Sequence, residues 1–186
     1  MKSPPIFLLL ERIGRIIAND GHASGLKPTQ WEVLRYLGRA NRFSRNPTAL
    51  TSYLGTTKGT VSQTVSTLTR KGLVKKSSNP DNRRAIKLDL TEAGLALLDD
   101  DPLASAFASA AEAQDSTLAL SLQRLLGAVI DERGGRPFGV CKTCVHFERQ
   151  DTAEMPNRCR LLELPLTKDD SERICVEHES QLVLSG

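Results

Sequence analysis

Two short apolar stripes separated by Gly55, then a pair of alternating strands behind Gly72, leave residues 46–91 few ways to fold. Asn46-Pro47 reads as an N-cap with proline at the first helical position, where a missing N–H costs nothing. The helix it starts buries Leu50 and Leu54 and stops at Gly55. Gly55-Thr56-Thr57 makes a turn, and a second helix runs over about 58–71 with Val61, Val65 and Leu68 facing inward. Gly72 ends it. Residues 73–77 and 85–90 are strand candidates, the second alternating Ile86, Leu88 and Leu90 with Lys87 and Asp89, and Asn79-Pro80-Asp81-Asn82 supplies their turn.

Charge gives this helix-turn-helix and hairpin a direction. The segment carries Lys58, Arg70, Lys71, Lys75, Lys76, Arg83, Arg84 and Lys87 against Asp81 and Asp89, while the whole chain has a formal net charge of only +3. That is the footprint of a phosphate-binding surface. The outer face of the second helix presents Gly59, Ser62, Gln63, Ser66 and Arg70 at helical spacing, with no acid and no large hydrophobe. Small hydroxyl residues allow close approach to a groove, Gln63 offers the paired donor and acceptor that suit adenine, and Arg70 suits phosphate or guanine. The competing reading is a solvated polar face. The candidate DNA-binding residues are Lys58, Gly59, Thr60, Ser62, Gln63, Ser66, Arg70, Arg83 and Arg84.

Around this segment the chain is mainly helical. Ile6, Leu9, Leu10, Ile13, Ile16 and Ile17 draw a stripe along one helix that ends near residues 19–21. Thr29 with Glu32 reads as a capping box for a second helix, which buries Trp31, Val33, Leu34 and Leu37. Thr91 caps a helix through Leu98 that Pro102 breaks. Residues 103–131 are rich in alanine and leucine, with Leu118, Leu122, Leu125 and Val129 in register for one long helix.

With 186 residues, the chain is long enough for one substantial core and a small appendage, expected at 1–135 and 136–186. Its 39% hydrophobic and 25% charged residues belong to a globular protein, and the apolar run 6–10 is too short for a signal peptide or a bilayer span. The expected location is the cytoplasm, with no membrane partner.

The order of elements and the run Asp81-Asn82-Arg83-Arg84-Ala85-Ile86-Lys87-Leu88-Asp89-Leu90-Thr91, followed by Glu92 and Gly94, resemble the MarR family of bacterial transcriptional regulators over residues 6–131. The match is to that family's Asp-x-Arg wing and its strand ending in Leu-Thr. The resemblance implies a winged helix-turn-helix in which Arg83 enters the minor groove, a reach that suits a long guanidinium at a hairpin tip. Arg84 is left for phosphate, and Asp81 either orients Arg83 or merely favours the turn. It also implies a homodimer built on the first and last helices of this region, reading a near-palindromic site in double-stranded DNA with half-sites about one helical turn apart. In many relatives a small-molecule effector binds between the dimerisation helices and the DNA-binding lobe.

The family pattern does not contain the last fifty residues, where all four cysteines lie. Cys141 and Cys144 form a C-x-x-C knuckle, and Cys159 and Cys175 follow after fourteen and fifteen intervening residues. Four thiolates complete a first shell for tetrahedral zinc or for an iron–sulfur cluster, and a segment with so few apolar residues needs a staple. Zinc ribbons usually carry two knuckles, so the single knuckle favours the cluster. The spacing is similar to that of high-potential iron–sulfur proteins, which hold [4Fe-4S], apart from a few residues in each gap and an aromatic core reduced to Phe138 and Phe147. Zinc and reactive thiols without metal are the alternatives. Cys175-x-x-His178 also has ligand spacing, but with four thiolates at hand His146 and His178 are expected near the site or in solvent.

These expectations combine into a DNA-binding regulator, not an enzyme, sensing redox or iron status through a cluster near the dimerisation helices. An electron-transfer or thiol-disulfide enzyme is the competing class. It is disfavoured because the C-x-x-C has no neighbouring βαβ pattern and the chain has no nucleotide-binding glycine loop.

Overall fold

The computed structural model describes residues 5–20, 25–79, 82–150 and 157–180, and of residues 20, 79 and 82–85 it describes the backbone alone. Nine elements follow in order through the first part: α1 Ile6–Asp20, α2 Pro28–Arg39, α3 Pro47–Leu54, α4 Lys58–Arg70, β1 Val74–Asn79, β2 Asn82–Leu90, α5 Glu92–Asp99, α6 Pro102–Glu112 and α7 Leu118–Glu132. The core is centred on α2, whose Trp31, Val33, Leu34, Tyr36 and Leu37 are buried among Leu50 of α3, Val61, Val65 and Leu68 of α4, and Val74 and Leu88 of the hairpin. Burying each of those side chains contributes roughly 1.5–3 kcal/mol, so three helices and a hairpin hold one another without a larger sheet.

Local signals set most boundaries. Asn46 Oδ1 accepts the Ala49 N–H at 2.9 Å and Gly55 closes α3 in the left-handed region at φ 58°, where a side chain would be strained. Thr57 accepts the Thr60 N–H to start α4, and Thr91 accepts the Gly94 N–H to start α5. Helix α2 departs from expectation: it begins at Pro28, and the Lys27 N–H is taken by Gln30 Oε1 at 3.1 Å. Proline pre-set for the first helical position moves the start ahead of Thr29, so Thr29 and Glu32 form no box.

The single long helix expected over 103–131 is two helices. Pro102 starts α6, capped by Asp101, and the chain turns after Glu112 before α7 resumes at Leu118. Asp115 Oδ1 takes the Thr117 N–H at 2.7 Å, and such local competition for backbone donors ends helices even in alanine-rich sequence. Neither α6 nor α7 has a buried residue, and α1 displays Ile6, Phe7, Leu8, Leu9, Leu10, Ile13 and Ile16 to solvent, Phe7 with 69% of its surface exposed.

Strands β1 and β2 pair antiparallel from Val74↔Leu90 to Ser78↔Ile86, with the register shifting at Asn79. Leu88 is fully buried and Leu90 partly so, but Ile86 is exposed, because the hairpin has by then run past the helices. The tip residues Pro80 and Asp81 lie outside the described residues.

The tail adds β3 Gly139–Val140, a 3-10 turn at Cys141–Thr143, β4 Phe147–Glu148, β5 Asn157–Cys159, β6 Leu164–Leu166, α8 Lys168–Ser171 and β7 Ile174–Cys175. Antiparallel β3–β7 and the three-stranded β4–β5–β6 are separate sheets. Ile174 enters the core of the first part, with Phe138, Val140 and Val176 packed against it. A second small core gathers Cys141, Cys159 and Leu166 with Phe147, Leu162 and, from the α2–α3 loop, Phe43.

Candidate nucleic-acid interface and cysteine centre

Lys58, Gly59, Thr60, Ser62, Gln63, Ser66 and Arg70 all stand exposed on α4, on the side opposite Val61, Val65 and Leu68. Thr60, Thr64, Thr67 and Thr69 are tied to their own helix: Thr60 shares a hydrogen bond with Thr57, and the other three hydroxyls donate to carbonyls one turn earlier. Ser62, Gln63 and Ser66 are thus the polar side chains facing outward between these tethered ones. Gln63, Ser66, Thr67, Thr69 and Arg70 line a shallow polar groove with Lys76 of β1. Helix and hairpin therefore present one continuous surface.

Arg83 and Arg84 lie in β2, where the backbone alone is described, and Asp81 lies outside the described residues. The remaining cations divide. Lys75 and Lys76 are exposed. Lys87 is held by Asp89 at 3.1 Å, which Arg45 also reaches at 3.4 Å, and Lys71 donates to the Gly25 carbonyl at 2.7 Å. The basic footprint read from composition is thus partly neutralised along the base of the hairpin and concentrated toward α4 and β1.

The four cysteines come from the 3-10 turn and its cap and from the ends of β5 and β7, and Cys141 and Cys159 share the small core of the tail. All are buried, 5–8% exposed, and none is in a disulfide. Cys141 and Cys144 bracket the 3-10 turn, in which the Cys144 N–H donates to the Cys141 carbonyl and the Phe147 N–H to that of Cys144. This is a tight knuckle. Cys159 ends β5 opposite Leu164, and Cys175 ends β7 opposite Gly139. Burial, and then the neighbouring Cys175, Cys159 and Cys144, push the Cys141 thiol up to about 12. Burial likewise raises Cys175. A cluster of thiols in apolar surroundings is poorly suited to holding free thiolates, and a cation among them reverses that balance. Among the described residues, however, no three His, Cys, Asp or Glu side chains form a ready-made metal-binding group.

The two histidines of the tail pack against other partners. His178 is half-buried, its Nε2 3.0 Å from Thr143 Oγ1 and its ring filling the space a side chain at Gly139 would need. Burial lowers its pKa. His146 Nε2 is 3.3 Å from a Glu179 oxygen. His146 Nε2 and His178 Nδ1 are buried without a hydrogen-bond partner.

The α2–α3 loop, residues 40–46, is the part of the site that sequence reasoning missed. It forms the wall between the two cores. Ala40 bridges Ile174 in parallel, the Asn41 N–H donates to the Ile174 carbonyl at 2.9 Å, and the Val176 N–H donates to Ser44 Oγ at 2.9 Å. Arg42 meets buried Asp170 through its guanidinium at 3.2 Å and its N–H at 3.3 Å. On its other side, the Arg45 carbonyl accepts the Leu88 N–H of the hairpin at 2.8 Å. The strand that ends in Cys175 thus stands against the entry to α3. The available signal was the polar residues Asn41, Arg42, Ser44, Arg45 and Asn46 between two apolar helices.

Residues 24–85 match the family model described as "MarR family". No curated protein matches the chain. Among solved structures, a MarR transcriptional regulator from Methanosarcina mazei Go1 is 26% identical over 69% of this chain and 93% of its own, with a TM-score of 0.53. CouR from Rhodococcus jostii RHA1 bound to p-coumaroyl-CoA is 25% identical over 68% of this chain and 92% of its own, at a TM-score of 0.55. The S. aureus MepR–DNA complex shares the fold at 15% identity, covering 70% of this chain and 99% of its own at a TM-score of 0.55. The helix-turn-helix and hairpin of this chain are similar to the winged helix of MarR-family regulators.

Proposed function

We propose that the chain is a transcription regulator that binds double-stranded DNA as a homodimer and carries a metal at its four cysteines. The observation that carries the DNA reading is the exposed, acid-free face of α4 continuous with the basic strand beside it. In this reading α4 would enter the major groove and Arg83 the adjacent minor groove, with Lys75, Lys76 and Arg84 on phosphates. The dimer reading is supported by α1, α6 and α7, whose Ile6, Phe7, Phe107, Leu118, Leu122 and Leu126 are exposed in the single chain, a larger apolar surface than a monomer ordinarily leaves open. Two copies related by two-fold symmetry would read a near-palindromic site.

For the metal, the support is the donor type, four buried thiols in no disulfide, while among the described residues no three of them stand together as a ready ligand group. Cys141, Cys144, Cys159 and Cys175 would hold an iron–sulfur cluster, [4Fe-4S] by ligand count, which would make the protein responsive to iron or oxidant. Zinc is the second reading, favoured by the orphaned Nδ1 of His178 three residues after Cys175. As for a small-molecule effector, a cleft lined by Pro47, Thr48, Thr51, Val61, Val65 and Ile86 lies between α3, α4 and the hairpin.

The test is purification without oxygen, with iron, sulfide and zinc analysis and a visible spectrum, followed by duplex binding across a salt series. Expected are visible absorption with iron and sulfide in the cluster case, colourless protein with stoichiometric zinc in the other, and affinity that falls steeply with salt as counterions are released. Protein that ignores duplex DNA even at low ionic strength overturns the regulator reading, and protein with neither metal overturns the centre.

A further inference from the structure

The end of α2, the root of the hairpin, α5 and the tail line a cleft of about 420 Å³. Small-molecule sites span roughly 300–1,000 Å³, so a compact ligand fits. The charged residues of its lining are Arg45, Lys75, Lys87 and Arg173 against Asp89 and Asp169. Asp169 and Arg173 belong to the tail, so this cleft exists only because the tail is docked on the winged helix.

The hairpin register gathers these groups on one face. Lys75 pairs with Asp89 across the strands, and Lys87 stands two residues before Asp89, so all three side chains leave the same side of the sheet. Lys76 leaves the other side, toward α4. The hairpin therefore separates the α4 surface from the cleft.

The charges in the cleft do not balance. Asp89 serves both Arg45, at 3.4 Å, and Lys87, at 3.1 Å, while Asp169 serves Arg173 at 2.6 Å. Lys75 is exposed and has no acidic partner among the described residues. Four cations against two carboxylates leave a surplus of two positive charges. Arg45, Lys87 and Arg173 keep only 22–31% of their side-chain surface in solvent, so water screens that surplus incompletely.

Two of the cations are also held in place before any ligand arrives. Arg45 Nε donates to the Ala40 carbonyl at 3.0 Å, and Arg173 donates to the Gly38 carbonyl. Each guanidinium keeps its Nη2 outside these bonds and outside its ion pair, so a donor is ready at little cost in side-chain ordering. Beside them Leu37, Leu90 and Leu95 form an apolar wall, with Leu95 49% exposed.

We propose that this cleft binds a small organic dianion, a phosphomonoester or a dicarboxylate with a short apolar body. Its two charges answer the surplus cations, and its body covers Leu90 and Leu95. Bound there, it ties the tail to the root of the wing. The site requires neither a metal at the cysteines nor DNA on α4.

The experiment is calorimetric titration of the full chain without DNA, using phenyl phosphate and phthalate as probes and benzamide as the neutral control. Circular dichroism is recorded for every variant. Saturable binding of at least one dianion is expected, with none of benzamide; phenyl phosphate alone would name a phosphomonoester, phthalate alone a dicarboxylate. Lys75→Ala should weaken binding roughly fivefold or more, Lys75→Glu should abolish it, and Asp169→Asn, which removes a carboxylate facing the anion, should tighten it by a similar factor. A gain in affinity cannot come from damage to the fold. Failure of both dianions to bind, equal binding of benzamide, or affinity unchanged by both Lys75→Glu and Asp169→Asn overturns the site. Weaker duplex binding by Lys75→Glu in a protein that takes up neither dianion would also overturn it, making Lys75 a DNA contact only, and would leave the regulator reading standing.

Discussion

Arg35 grips Asp101 with two hydrogen bonds, 2.7 Å from Nε and 3.0 Å from one terminal nitrogen, and so pins α2 to the start of α6. Asp101 is almost fully buried and also accepts the Ala104 N–H as the cap of α6, while the Arg35 guanidinium lies over the Trp31 ring. Burial pushes the Asp101 carboxyl up, but the hydrogen bonds from Arg35 and Ala104 outweigh it and hold the group below its ordinary value.

Arg35→Ala is expected to destabilise the fold by about 2 kcal/mol, less than the ~3–5 kcal/mol of a fully buried pair because Arg35 reaches solvent. Since the folded carboxyl titrates low, the stabilisation is complete above the ordinary carboxylate value near pH 4 and fades as pH falls through the lower folded value. Urea midpoints between pH 3 and pH 7 check both. A variant whose acid sensitivity equals that of the unchanged protein would show that Asp101 draws nothing from Arg35.

Gly94→Ala should cost about 1–3 kcal/mol by overpacking. A Cβ there would stand 2.3 Å from the Leu73 carbonyl oxygen, which is backbone already engaged by the Thr91 N–H and has no room to withdraw. Thermal denaturation reads the loss.

Ile174→Ala tests whether the tail belongs to the core of the winged helix. It should lower global stability by about 2–4 kcal/mol through lost burial and a residual cavity. The loss should appear in the unfolding of α2–α4 followed by Trp31 fluorescence. Unfolding of the first part that is indifferent to the substitution would mean the tail merely rests on it.

Arg83→Ala should weaken duplex binding by roughly 1–3 kcal/mol if the side chain reads a groove, with the discrimination between sites reduced. Lys76→Ala should instead weaken all duplexes alike and flatten the salt dependence by about one counterion. Equal, sequence-independent effects of the two would demote Arg83 to a phosphate contact.

Leu126→Glu in α7 should shift the protein toward monomer in sedimentation. It should also weaken binding to a two-half-site duplex far more than to a single half-site, because a dimer contributes its second site at high effective concentration.

What could be read in the chain alone were features fixed by neighbours in sequence. The Asn46 and Thr91 caps, the Gly55 stop, the inward stripe of α4 and the hairpin behind Gly72 each depend on a few consecutive residues, and the helix-turn-helix and hairpin followed from them. The break between α6 and α7 was equally local but hidden, since one aspartate competing for an N–H is a weak signal within an apolar period. Tertiary structure decided what lies between distant segments: that Asp170 answers Arg42, that Ile174 completes the core of α2, and that the strand ending in Cys175 lies along the entry to α3. Contacts across more than a hundred residues have no period or spacing to announce them; they exist because unpaired polar groups of one loop and one strand satisfy each other only after both have been brought out of water.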